Sequence, residues 1–338
     1  MEKENKVASN PSVIKRLLGM REANIILIMI VGAIFMSFAS PHFLSWGNFR
    51  AMMLSFSTEG IIAVGMAVAF IVGGLDLSVG AVMAMAMAIA GRFFLGGMNP
   101  WLASALTLMI CACLGAGIGT VVTKIKLSHF VVTLAVMQMA RGVTMILTRG
   151  TPLSLLTLPD EFKFIGQGSI GPVPFFVILF VIIAVVADYM VRNSSIMRQV
   201  FFVGSNEKAA KYSGIRVDRI KIGAAVFTST MAGLAGIINM ARFNTATPGI
   251  GIGLELTIFA ACVIGGNSMN GGKGTVLGAV LGMILMTFIT TSMTLLRVSP
   301  HWQDLVRGAI LLAAVSFDQI SQMRKNGTGP KWLSIKAR

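Results

Sequence analysis

The sequence predicts an all-α integral membrane protein of about ten transmembrane helices, with both termini cytoplasmic and a parallel internal repeat. Three observations carry this expectation. Apolar residues make up 55% of the 338 residues and charged residues only 12%, about half the charge that a water-facing surface needs. Several long runs hold no charge at all, the mark of segments that cross a bilayer as helices. The basic residues gather in alternate connecting segments, as they do when one side of a membrane faces the cytoplasm.

Taken in order, a polar and basic arm occupies 1–23. No cleavable signal is evident, since the first apolar run is long enough to span. The apolar runs are 24–40, about 50–72, 79–95, 101–123, 130–148, 173–191, 220–241, 254–265, 274–296 and 303–320. They form one transmembrane domain at 24–320, followed by a basic tail at 321–338. The run at 254–265 is short for a full crossing, and 50–72 carries Glu59. Both suit broken or re-entrant helices, which membranes tolerate only when buried in protein.

Ten spans place both termini on one side. With the N-terminus inside, Lys3, Lys6, Lys15, Arg16, Arg21, Lys124, Lys126, the seven basic residues from Arg192 to Lys221, Lys273 and the five from Arg324 to Arg338 are cytoplasmic, 20 of the 28 Lys and Arg. Outer segments hold Arg50, Arg92, Arg149, Lys163, Arg242 and Arg297, and Arg141 and Arg307 lie within spans. The net charge of +15 thus reads as topology and not as a nucleic-acid surface. Cys111, Cys113 and Cys262 all sit in apolar runs without metal-ligand spacing and read as packing residues.

"VGGLDLSVGAV" (72–82) resembles "IGGNSMNGGKGTVLGAV" (264–280) with six residues inserted. Both follow a span running inward, so the two units would be parallel, with the working site between halves. Gly115 and Gly119 are four apart, as are Gly278 and Gly282, a spacing that lets helix backbones approach closely.

The longest cytoplasmic loop lies at 192–223. Within it "SNEKAAKYSGI" reads as a short helix, started by Ser205 or Asn206, with Glu207 in its first turn and Gly214 at its end. It reads either as a docking knob for a soluble partner or as a solvated basic loop. In "GGLDLSVG", Gly73 and Gly74 end one helix, and Asp76 or Ser78 caps the next, with Gly80 beyond. A gating contact is the other reading of Asp76.

Charges within or near the membrane are costly and usually face a bundle interior or water. They are Glu59, Asp76, Asp188, Arg141, Glu255, Asp304, Arg307 and Asp318. Asp188, Asp304 and Asp318 fall near span ends, and Asp304 and Arg307 share one helix face. Arg141 lies deeper and is expected to line the path or to pair with Asp76 or Glu255. Polar contacts for a solute would come from Gln138, Thr133, Asn244, Thr257, Ser57 and Thr58, flanked by Phe70 or Phe259. The outer loops at 149–172 and 242–253 are too rich in Pro and Gly for long helices. They read as connectors or as a surface for a soluble receptor. "NSMNGGKGT" (267–275) has Asn267 where a phosphate-cradling loop needs glycine and Gly274 where it needs a hydroxyl, so it is not such a loop.

The stretches "GGLDLSVG" (73–80), "GSNEKAAKYSGI" (204–215) and "LELTIFAACVIGGNSMNGGKGTVLGAVLG" (254–282), with Arg141–Gly142, resemble the ribose-type permease family of bacterial ABC importers. The resemblance runs from about 24 to 320. Ser205 replaces a glycine of the family pattern, and "IMRQVFF" replaces its basic Leu-Gly-Arg-type stretch. The resemblance implies a multi-pass inner-membrane subunit paired with a second permease copy. It implies separate ABC ATPase subunits that hold ATP and Mg, a periplasmic sugar-binding protein, and no cofactor in this chain. It further implies that Ser205, Asn206, Glu207, Lys208, Ala209, Ala210, Lys211, Ser213 and Gly214 form the coupling helix. The expected solute is a monosaccharide or similar small polar molecule. A signalling furanone, a branched-chain amino acid, or an ion-coupled secondary transporter are the alternatives.

Overall fold

The computed structural model describes residues 21–326; the arm at 1–20 and the tail at 327–338 lie outside the described residues. Each of the ten apolar runs becomes a helix. In order these are α1 (Arg21–Ala39), α2 (Trp46–Val72), α3 (Val79–Leu95), α4 (Pro100–Thr120), α5 (His129–Thr148), α7 (Phe175–Asn193), α10 (Val217–Phe243), α11 (Leu254–Ile264), α12 (Val276–Leu295) and α13 (Pro300–Asn326). Short helices α6 (Asp160–Gln167), α8 (Ser195–Ser205) and α9 (Glu207–Tyr212) sit in the connections. Seven of the described helices are long and apolar enough to cross a membrane: α1, α2, α4 with its π-turn at Val121–Ile125, α5, α7, α10 and α12. Helices α3 and α11 are apolar but shorter.

Helix α2 is the centre of the bundle. It is apolar on all faces, the pattern of a helix surrounded by protein, and everything from Gly60 to Val72 is buried. It is one unbroken helix of 27 residues, which corrects the expectation of a break at Glu59. Enough surrounding contacts let the helix carry that carboxylate without unwinding. Gly60 lies under Phe180, and Gly65 lies against the backbone of Thr228, whose hydroxyl donates to the Gly65 carbonyl at 3.0 Å.

Glycine spacing sets two further contacts. A Cβ on Gly115 would stand 2.5 Å from the Ala225 carbonyl oxygen, and one on Gly119 2.6 Å from Ile222 Cα. Helices α4 and α10 therefore touch backbone to backbone. Gly278 and Gly282 do the same for α12 against Gly265 and Ala261 of α11. The outer ring is different: Ile34, Phe38 and Ile146 are exposed, as side chains facing lipid are. Cys111 and Cys262 are buried, while Cys113 is exposed.

At one end, the two long connections meet. β1 (Leu153–Ser154) pairs antiparallel with β4 (Thr245–Ala246), and β2 (Ser169–Ile170) forms a tight hairpin with β3 (Val173–Pro174). Proline and glycine limit α6 to eight residues.

Candidate functional site

The opposite end is organised by backbone hydrogen bonds. Helix α2 stops at Gly73, which takes a left-handed conformation at φ 84°. Gly73 N–H donates to Phe70 and Gly74 N–H to Ala69, so the last carbonyls are satisfied. Buried Asp76 follows. Its Oδ1 accepts from Ser78 N–H at 2.8 Å and from Ser78 Oγ at 2.5 Å. Asp76 thus supports the start of α3 through Ser78, whose own side chain caps nothing. Thr133 Oγ1 donates to the Leu75 carbonyl at 3.1 Å and ties the interruption to α5. Gly80 falls inside the first turn of α3, not in the interruption, and packs against Gly251.

The second interruption, between α11 and α12, lies beside the first. Gly272 N–H donates to the Ile71 carbonyl at 2.9 Å. A Cβ on Gly271 would stand 2.9 Å from Gly73 Cα. The two segments that echo each other in sequence are therefore in contact. Gly204, near the end of α8, closes the group: a Cβ there would collide with the Ile71 carbonyl oxygen and stand 2.6 Å from Gly272 N. Gly204, Gly271 and Gly272 leave no room for side chains, while Gly73 is held by its left-handed backbone.

Helix α9 projects from this junction. Asn206 Oδ1 accepts from Ala209 N–H at 3.0 Å, a cap that contributes about 1 kcal/mol. Ser205 instead ends α8, so Asn206 alone fills the capping role. Gly214 (φ 81°) ends the turn, with Ile215 N–H donating to Ala210. Glu207 pairs with Lys221 of α10 at 2.6 Å, and Lys124 with Asp218 at 2.6 Å. Ala210 anchors the helix in the protein, while Asn206, Glu207, Lys208, Ala209, Lys211 and Ser213 are exposed. Tyr212 (91% exposed) and Phe202 (63%) flank them, an aromatic pair that the sequence reading did not single out and that suits a binding surface. The connection at 192–223 thus holds two helices. The first, α8, was legible only as loop, because Arg198 interrupts a short run.

Toward the other end, α2, α10, α11, α12 and α13 enclose a cavity of about 380 Å³. Glu59, Arg242 and Arg307 line it together with Asn239, Thr58 and Thr257. Thr287, Thr290 and Thr291 add hydroxyls, and Met83, Met283 and Met286 add an apolar wall. Arg242 donates to the Leu54 carbonyl at 3.2 Å and lies 4.8 Å from the Phe243 ring centroid. The sequence reading had placed Arg242 in an outer connection; its spacing of three from Asn239 was the signal that both share a helix face.

Other expected path residues fall elsewhere. Gln138 is exposed on the outside of α5, so it does not line this cavity. Asn244 ends α10 in a left-handed turn, and its carbonyl accepts from Leu155. Glu255 stands in the first turn of α11 beside Gly80. Ser57, Phe70 and Phe259 are buried, with the two rings 5.4 Å apart. Arg141 makes no direct ion pair with Asp76 or Glu255, although Glu255 is near enough to act on its charge. Its Nη1 donates to the Ile250 carbonyl at 2.6 Å and to the Pro248 carbonyl at 3.3 Å. It holds the loop before α11 inside the bundle, where free carbonyls need donors. Asp188 joins Arg192 at 2.6 Å and accepts from Leu277 N–H at 3.2 Å, bracing the start of α12.

A polar cavity held among apolar helices gives a hydrophilic solute somewhere to sit inside a bilayer. Fold and cavity together describe a helical membrane protein with a polar cavity among its helices. The chain belongs to the family described as the branched-chain amino acid transport system / permease component, whose model matches residues 48–315. It is therefore a multi-pass inner-membrane protein. It is similar to the ribose import permease protein of Escherichia coli K12, at 35% identity over 90% of this chain and 95% of that one. The ribose import permease of Bacillus subtilis is 33% identical over 87% of this chain and 90% of that one. The L-arabinose ABC transporter permease of Azospirillum brasilense is 31% identical over 88% of this chain and 87% of that one. No solved structure matches significantly.

Proposed function

We propose that this chain is the permease subunit of an ATP-binding cassette importer that carries a monosaccharide or similar small polar solute across the bacterial inner membrane. The observation that carries the reading is likeness along about nine-tenths of the chain to permeases for ribose and arabinose. Only the family's description speaks for a branched-chain amino acid.

In this reading the ten helices formed by the apolar runs all belong to the membrane domain at 24–320, with the arm at 1–23 and the tail at 321–338 cytoplasmic. The α9 end faces the cytoplasm, in keeping with the basic residues gathered there, and the cavity opens toward the periplasm. The two contacting interruptions mark corresponding points of a parallel repeat. Helix α9, with Ser205 through Gly214, is the coupling helix that enters an ABC ATPase. That partner holds the ATP and Mg, and this chain needs no cofactor. A periplasmic sugar-binding protein delivers the solute to the outer connections at 149–172 and 242–253. A second permease copy, identical or related, completes the path. The interruption at Gly73, Gly74, Asp76 and Ser78, backed by Gly80, is the element that moves.

The exposed carboxylate of Glu207 tests the docking. Glu207→Arg should lower receptor-stimulated ATPase activity of the assembled transporter roughly tenfold. Loss of the exposed Lys221 pair itself costs at most about 1 kcal/mol, so the permease should stay in the membrane at normal levels. Undiminished stimulation would remove α9 from the interface.

A further inference from the structure

The cavity among α2, α10 and α13 holds more positive than negative charge. Arg242 and Arg307 line it against the single carboxylate of Glu59. Arg242 is already engaged, by the Leu54 carbonyl and by stacking on Phe243. Arg307 is not. Its Nε is buried without a hydrogen-bond partner. Its nearest acid, Asp304, stands 3.5 Å away with 70% of its side chain exposed, and an exposed ion pair of that length contributes little.

We propose that Arg307 makes this cavity selective for a solute with one carboxylate, an acidic monosaccharide in preference to its neutral counterpart. The proposal rests on the monosaccharide reading above and names the substrate class within it. A guanidinium offers paired donors that match a carboxylate in a fork. A solute carboxylate would supply the missing hydrogen-bond partner to Arg307 Nε and answer the excess of guanidinium groups on the cavity wall itself. A neutral sugar offers no charged acceptor to the buried Nε of Arg307, and a buried polar group left without a partner is costly. The threonine and asparagine groups suit the ring hydroxyls in either case. The volume of about 380 Å³ lies in the range of small-molecule sites, roughly 300–1,000 Å³. The repulsion between Arg307 and any cationic group works in the same direction, since specificity comes partly from disfavoured alternatives.

The test is equilibrium binding to the full-length permease in lipid nanodiscs, with radiolabelled pairs that differ only in the acid. D-glucose is compared with D-glucuronate, and D-galactose with D-galacturonate. In at least one pair the acid should bind about tenfold more tightly than the neutral sugar. Arg307→Gln should bring that ratio to about one, and Arg307→Lys, which keeps the charge, should retain a preference. Both variants are scored only as monodisperse protein, and Arg307→Lys guards against a general folding effect. Neutral sugars that bind as tightly as the acids, a preference that survives Arg307→Gln, or a panel with no acid bound would overturn the proposal. Binding of a neutral sugar with no acid preference leaves the monosaccharide reading standing. That reading fails separately, if ATP-driven uptake of every sugar in the panel is absent.

Discussion

Gly204→Val is expected to abolish ATP-driven uptake while leaving the permease in the membrane. Gly204 lies where α8 meets the end of α2 and the loop before α12, with Gly272 N only 2.6 Å from where a Cβ would sit and the Ile71 carbonyl oxygen closer still. These neighbours are backbone atoms and cannot rotate away. Adding atoms to a filled contact costs about 1–3 kcal/mol, and each 1.4 kcal/mol is about tenfold in an equilibrium. The least costly relief is to move α8, and with it α9, away from the two helix interruptions. In the proposed assembly, movement of a docked ATPase would then no longer reach Gly73. Gly204→Ala should give a smaller loss in the same assay. Uptake by Gly204→Val at the wild-type rate would show that the junction transmits nothing.

The second large effect is on folding. Gly115→Leu drives a side chain into Ala225 and Val226 of α10, whose atoms would stand 2.5 and 2.7 Å from the new Cβ. Within a membrane, helices associate through such close packing, with no hydrophobic drive between them. The expected loss lies at or above the upper end of the usual overpacking cost, about 3 kcal/mol, because the obstacle is backbone. Gly117→Leu is the internal control, since nothing lies within 4 Å of the space its Cβ would fill. Size-exclusion profiles and thermal unfolding in detergent should show aggregated or absent Gly115→Leu protein and a normal Gly117→Leu protein. Equal behaviour of the two would refute the α4–α10 packing.

Membrane character was legible because hydropathy and glycine spacing are local. All ten apolar runs become helices, and the pairs at Gly115/Gly119 and Gly278/Gly282 mark real backbone contacts. The length of each helix was less legible. Glu59 looked like an interruption in α2, yet neighbouring helices cover it. Helix α8 was hidden because its eleven residues mix Arg198 with apolar positions. Partners that are backbone atoms leave no trace in composition. Arg141 was expected to line the path or to pair with an acid, and its hydrogen bonds go to the carbonyls of Pro248 and Ile250. The cavity joins residues up to 252 positions apart, from Ser55 to Arg307, so Glu59 and Arg307 were visible as costly charges but not as neighbours. Asp76 kept its place at the interruption, but it acts on Ser78 and not on a free helix end.

The most direct measurement of the central claim is solute uptake into sealed vesicles that contain this permease with the ABC ATPase and receptor proposed as its partners. Labelled monosaccharides, neutral and acidic, are supplied outside with the receptor, and ATP is present or absent within. The account predicts uptake that requires ATP and persists after the proton gradient is collapsed. Uptake that continues without ATP and stops when the gradient is removed would contradict it.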